Sequence, residues 1–269
     1  MLVKNKTLYE GKIFKSKRCG EFVISEYHNY DDVVVKFLKT GFCIRTDFSD
    51  VKRGSIRDPY FPTVCGVGFC GVGPYSPSYT RLGKSRTTSA YTAWRNRIKD
   101  CYTDTKSKHL YINATICEEW HNFQNFAKWY YDQERLYGKG GCVDKDLLHL
   151  GNKHYSPETA RYIPKAVNVL FSGTSKHITG VCFSKSRRKF IAQIHKGTIT
   201  SKGNRKSKNL GQFDSYVEAS SVYKVAKINH VKETVIKYQE QLPPDLFFKL
   251  YTGTEIYVDY YMNAYGGDL

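Results

Sequence analysis

The chain has 269 residues, of which 41% are hydrophobic and 15% aromatic, which excludes wholesale disorder and gives room for two or three small domains. No apolar run approaches the ~20 residues of a membrane span, and the N-terminal stretch lacks the apolar core of a secretory signal. With 42 basic against 25 acidic residues the net charge is +17, which favours a polyanionic partner.

Residues 1–76 read as β-structure. Residues 21–27, 32–38 and 42–48 are rich in β-branched and aromatic side chains, with turn residues between them. Short strands at this spacing predict a small β-barrel of the SH3 type, with no chemistry attached. The run Gly66-Val-Gly-Phe-Cys-Gly-Val-Gly73 lacks the Gly-Lys-Ser/Thr ending of a phosphate loop and reads as a tight linker. Residues 77–88 follow as a polar connector.

Residues 89–173 open with helices. Thr88 or Ser89 caps a helix over 90–101, with Trp94, Ile98 and Cys101 at helical spacing. A second helix is predicted over 118–130, its stripe formed by Trp120, Phe123, Phe126 and Trp129 and its stop by Gly138 to Gly141. A short strand near Val143, a turn, a second strand before Pro164 and a helix from Ala166 complete this part.

Residues 174–239 carry 14 basic and 3 acidic groups, net +11, against +7 for 1–88, +3 for 89–173 and −4 for 240–269. A membrane surface calls for a basic amphipathic helix. The basic stretch reads instead as strands over 178–183, 189–195 and 209–213, joined by the turn 184–188 and a long basic loop over 197–208, so nucleic acid is the favoured partner. Asp214 or Ser215 caps a helix over 216–230 whose small face, Ala219 to Ala226, suits close packing on a sheet. The tail 240–269 is acidic and aromatic. It is expected to pack on the body as helix or strand, or to screen the basic sheet.

Eight cysteines make no Cys-x-x-Cys pair, so structural zinc is not expected, and scattered thiols read as reduced ones of a cytoplasmic protein. The fold class expected is α+β: a small N-terminal β-barrel over 1–76, a linker over 77–88, a central helical region with a ββα element over 89–173, a three-stranded sheet backed by one helix over 174–239, and the tail.

The segment Gly180-Val-Cys-Phe, Lys189-Phe-Ile-Ala-Gln-Ile194, Leu210-Gly-Gln-Phe-Asp214 and the Ala-containing helix after it resembles the Apetala-type, or ethylene-response-factor, DNA-binding domain. That resemblance implies a sheet lying in the major groove of double-stranded DNA. It aims Lys185, Arg187, Arg188, Lys189, Gln193, His195, Arg205, Lys206 and Lys208 at the duplex. The chemistry agrees, because Arg and Gln read base edges and lysines neutralise phosphates. Cys182 stands where the family commonly has Arg, which implies a different or looser sequence preference.

The central segment resembles phage HNH homing-endonuclease-like proteins. The residues that carry this are Tyr91, Trp94, Arg97, Cys101-Tyr102, Ile116 to Trp120, Phe123, Phe126, Trp129, Asp144-Lys-Asp-Leu-Leu148, Gly151-Asn-Lys-x-Tyr-Ser-Pro-Glu158, Pro164 and Asn168. Such proteins often join this region to an Apetala-type domain. HNH chemistry uses a His general base and a divalent metal, magnesium or manganese, held by Asp with His or Asn. Here Lys145 takes the position of the base and Thr159 that of the later Asn. Asp144 and Asp146 remain as candidate metal ligands, and His149 and His154 as substitute bases beside Lys145. Two readings stay open: a metal-dependent nicking endonuclease with an altered centre in a host cytoplasm, and a non-catalytic binder regulating or inhibiting a host machine. RNA or a ribosome is a third partner class, since charge does not separate the two nucleic acids.

Overall fold

The computed structural model describes residues 8–103, 111–171, 180–199 and 205–265. The chain is mixed α and β and divides into two compact units, Met1–Tyr131 and Asp132–Leu269. Among the described residues no helix is long and apolar enough to cross a membrane.

The first unit begins with an antiparallel meander of four strands in sequence order, β1 (Ile13–Ser16), β2 (Gly20–Asn29), β3 (Asp32–Phe37) and β4 (Cys43–Thr46). Alternate residues Phe22, Ile24, Val33, Val35 and Phe37 point to one face and are fully buried. The barrel expected here does not close among the described residues. The edge strands β1 and β4 are only four residues long, and the chain leaves β4 into helix α1 (Phe48–Arg53) instead of a fifth strand. Asp47 caps α1 by accepting from Asp50 N at 2.8 Å, and the helix lays Phe48 and Val51 over the open side of the sheet core.

The glycine run is a packed strap. Phe69 N donates to His121 O and Phe123 N donates to Phe69 O, both at 2.9 Å. The Gln124 amide clamps the strap's end, donating to Tyr75 O at 2.9 Å and accepting from Tyr75 N at 3.0 Å. Beneath lies an aromatic layer from α2 (Ser89–Tyr102) and α3 (Phe123–Tyr137). Trp94 Nε1 donates to Trp120 O at 2.6 Å, so the buried indole has its partner. The helix expected over 118–130 is interrupted. After the short strand β7 (Thr115–Ile116) a 3-10 turn spans Glu118–His121, Asn122 is extended, and α3 runs on to Tyr137. The connector expected at 77–88 is a β-hairpin, β5 (Ser78–Arg81) paired with β6 (Lys84–Thr87), and all eight strand residues are exposed.

In the second unit, β8 (Cys142–Asp144) pairs antiparallel with β10 (Arg161–Ile163), the two-residue strand β9 (His154–Tyr155) falls between them in sequence, and helix α4 (Lys165–Phe171) follows. A second sheet runs in the order β11 (Val181–Ser184), β12 (Lys189–Ile199) and β13 (Arg205–Phe213). The long loop expected over 197–208 is largely absent, because Ile199 still pairs with Arg205. The beginning of the strand expected from Ile178, and residues 200–204, lie outside the described residues. Helix α5 (Tyr216–Lys237) starts at Ser215, whose hydroxyl accepts from Glu218 N at 3.2 Å. It serves two cores. Ala219 and Tyr223 pack on Val181, Ala192 and Ile194 of the sheet, while Val231 and Val235 join Leu147, Ile163, Val167 and Phe171. The acidic tail completes that second core as α6 (Pro244–Thr252) and α7 (Thr254–Tyr265), through Leu246, Leu250, Tyr257 and Val258.

Gly180 enters the sheet with φ +59°, and a Cβ there would stand 2.0 Å from the Tyr223 ring and 2.7 Å from Gln193 O. Burial pushes the Tyr223 phenol up to about 12. Gly180→Ala combines left-handed backbone strain with a collision. It is expected to cost at least ~2 kcal/mol, read as a lower urea midpoint with an unchanged slope. An unchanged midpoint would mean that this strand entry tolerates a side chain.

Candidate nucleic-acid interface

Among the described residues, helix α5 covers one face of the sheet β11–β13 and no helix covers the other. Phe190, Ala192 and Ile194 of β12 face α5, so Lys189, Ile191, Gln193 and His195 face away. Register adds neighbours: Ile191 pairs with Cys182 and Gln212, Gln193 with Asn209, and His195 with Ser207. Directly paired residues share a face. The uncovered face therefore collects Gln193, Asn209, Gln212 and His195, four side chains able to donate and accept. Asn209 and Gln212 were not among the expected residues. Counting back in twos from the core residue Phe213 separates Gln212 from the core, but Leu210 is skipped in the pairing and shifts the count before Asn209.

The cations sit around this face. Lys185, Arg187 and Arg188 are exposed in the β11–β12 turn and have no ion-pair partner among the described residues. Lys189 is paired with Asp214. Such an exposed pair contributes little to stability and opens readily for a phosphate. Lys208 pairs in register with Ile194 and so projects to the helix side, away from the four polar side chains. Arg205 and Lys206 have described backbone in β13, while their side chains lie outside the described residues.

The loop between β8 and β10 holds the other candidates. Asp144 Oδ1 accepts from Asp146 N at 3.0 Å and Leu147 N at 2.8 Å, closing a turn. Asn152 Nδ2 donates to Lys145 O and His154 O, both at 2.7 Å. Thr159 Oγ1 also donates to His154 O at 2.7 Å. Tyr257 Oη donates to Leu147 O at 2.6 Å and Lys249 Nζ to Leu148 O at 3.1 Å. The loop carbonyls are thus largely engaged, and Leu147 plugs the core beneath.

Lys145 is 6% exposed, and its ammonium lies 3.0 Å from Asp146 Oδ2 and 5.7 Å from the centre of the Tyr155 ring. Burial, with Asp146 beside it, raises Asp144 to about 7. His149 is exposed. Among the described residues no three His, Cys, Asp or Glu side chains assemble into a metal-capable group, so Asp144, Asp146, His149 and His154 are not brought to one point. The donor set does not fit a divalent cation, because a buried ammonium already neutralises Asp146 and one oxygen of Asp144 is engaged by two backbone N–H groups. All eight cysteines are free thiols.

Searches against family models, curated proteins and solved structures found no match to this chain.

Asp144 binds its proton more tightly in the folded than in the unfolded chain. The stability this gives is complete below pH ~4 and is lost as the pH rises towards 7. Asn at this position keeps the Oδ1 acceptor and cannot ionise. Asp144→Asn is therefore expected to flatten the fall in stability between pH 4 and 8, and to be the more stable protein at pH 8 by at least about 1.4 kcal/mol, one pH unit's worth of the displacement. Denaturant titrations across that range check it, and parallel curves for the two proteins would show that Asp144 ionises normally.

Proposed function

We propose that this chain is a double-stranded DNA-binding protein that lays the sheet β11–β13 in the major groove and does not cut the backbone. The observation that carries the reading is the register, which gathers Gln193, Asn209, Gln212 and His195 on the sheet face turned away from α5, beside the exposed Lys185, Arg187 and Arg188. Amide side chains make paired hydrogen bonds to adenine, and the turn cations meet phosphates. A major groove ~12 Å wide admits a β-ribbon, whereas the narrow, deep major groove of A-form RNA does not. The resemblance to Apetala-type domains supports the same docking.

Non-catalytic binding is favoured over nicking by Lys145. In the strand-loop-strand-helix order of 142–171, which is in keeping with an HNH-like finger, a lysine occupies the position of the general base and spends its charge on Asp146. Such a finger serves as a shape-keeping element or a phosphate contact.

Two measurements on the full chain test this. Supercoiled DNA incubated with the protein and magnesium or manganese should remain uncut, and nicking that disappears in Asp144→Ala would reverse the reading. Arg187→Ala/Arg188→Ala should weaken duplex binding and lower the slope of log K against log salt by about 1.8, at ~0.9 for each phosphate no longer neutralised. A double variant that binds like the parent would remove the sheet from the interface.

A further inference from the structure

The β5–β6 hairpin of the first unit has two chemically distinct faces. Register places Tyr79 opposite Arg86 and Arg81 opposite Lys84, so one face carries an aromatic ring and three cations. The other face pairs Ser78 with Thr87 and Thr80 with Ser85, hydroxyls throughout. Tyr79, Arg81, Lys84 and Arg86 line a shallow concavity with Leu82 at the tip. None of the three cations has an ion-pair partner among the described residues, and no Asp or Glu occurs in sequence between Asp58 and Asp100.

The tip is costly in the free protein. A two-residue turn with positive φ at both positions favours Asn-Gly, yet Leu82 sits there at φ 50°, followed by Gly83 at φ 71°. Leu82 is also 92% exposed, so it packs against nothing that offsets the strain. An apolar side chain held out beyond unneutralised cations matches the wedge of proteins that bend DNA, in which phosphate contacts flank one residue pushed between base steps in the minor groove. A membrane surface would ask for a wider apolar face than one leucine supplies.

We infer that the hairpin is a second DNA contact, which grips phosphates through Arg81, Lys84 and Arg86 and drives Leu82 into the minor groove to bend the duplex. This rests on the reading of the chain as a double-stranded DNA binder, but on different residues.

The test uses the full chain on a duplex of about 20 base pairs labelled at both ends, with end-to-end distance read by energy transfer and affinity followed across a salt series. Leu82→Asn suits the turn and removes the wedge. It should keep the salt slope of the parent and leave the saturated duplex straighter. Arg81→Ala/Lys84→Ala/Arg86→Ala should lower the slope by about 2.7, at ~0.9 for each phosphate no longer neutralised. A Leu82→Asn complex bent as much as the parent, or a triple variant with the parent's slope, overturns the inference. So does a triple variant that loses binding only to phosphatidylserine vesicles. Arg187→Ala/Arg188→Ala runs alongside. If it alone binds normally, the sheet reading fails and the hairpin stands; if only the hairpin variants bind normally, the hairpin fails and the sheet stands.

Discussion

Helix α5 is built into two hydrophobic cores, and the exposure of the sheet's polar face depends on how it does so. Its first half brings Ala219 and Tyr223 against Val181, Ala192 and Ile194. An alanine at the contact lets helix and sheet approach closely, and Gly180 clears the space that the Tyr223 ring fills. Because α5, with Met262 of α7, covers most of the apolar face of the three-stranded sheet, the other face is free for polar side chains. The second half of α5, through Val231 and Val235, holds the β8–β10 finger and the two tail helices. Lys227 reinforces this by donating to Leu170 O, in the last turn of α4, at 2.7 Å. The acidic tail is therefore structural. Its apolar side chains complete a core, and Asp245 and Asp259 pair with Arg161 and Lys224.

Charge inside the finger follows from the same packing. Lys145 is buried, and a buried ammonium requires an acceptor. Asp146 supplies it, and at Asp144 burial and repulsion from Asp146 outweigh the attraction of Lys145 and favour the protonated form. A catalytic carboxylate holding a divalent metal needs the opposite environment, one that keeps it ionised and open. In the proposed HNH-like reading, a lysine in place of the His at position 145 therefore occupies Asp146, one of the two carboxylates a metal would need.

Much of the fold was legible where apolar periodicity was strong. The caps Thr88 and Ser215, the stop at Gly138 and the three strands around Val181, Ala192 and Phe213 all follow from residues that can be named in advance. Strand β1 was not legible, because its sequence Ile-Phe-Lys-Ser lacks alternation and pairing with β2 supplies its structure. Nor was the glycine strap, whose order comes from Gln124 about fifty residues later in the chain. At the proposed interface, Gln193 and the turn arginines can be picked out by residue type alone. Asn209 cannot, because a skipped residue changes which side chains share a face. The departure of Lys208 from that face has the same origin.

The hairpin β5–β6 escaped notice for a related reason with a larger consequence. Hydrophobic alternation marks strands because one face is usually buried. Here the alternation is between hydroxyls and cations, which a search for apolar period two does not detect. A two-stranded ribbon with no buried side chain is marginal in water. Its base is tied by bonds such as Thr88 N to Pro77 O at 3.0 Å and Thr92 Oγ1 to Thr87 Oγ1 at 3.2 Å. Repulsion among three cations on one face weakens it further, and an anionic partner removes that penalty while adding attractions of its own. Salt should then act on this ribbon in two opposing ways, screening the repulsion in the free protein and weakening attraction in the complex. The second effect is the larger for a polyanion, because binding to a duplex also releases condensed counterions.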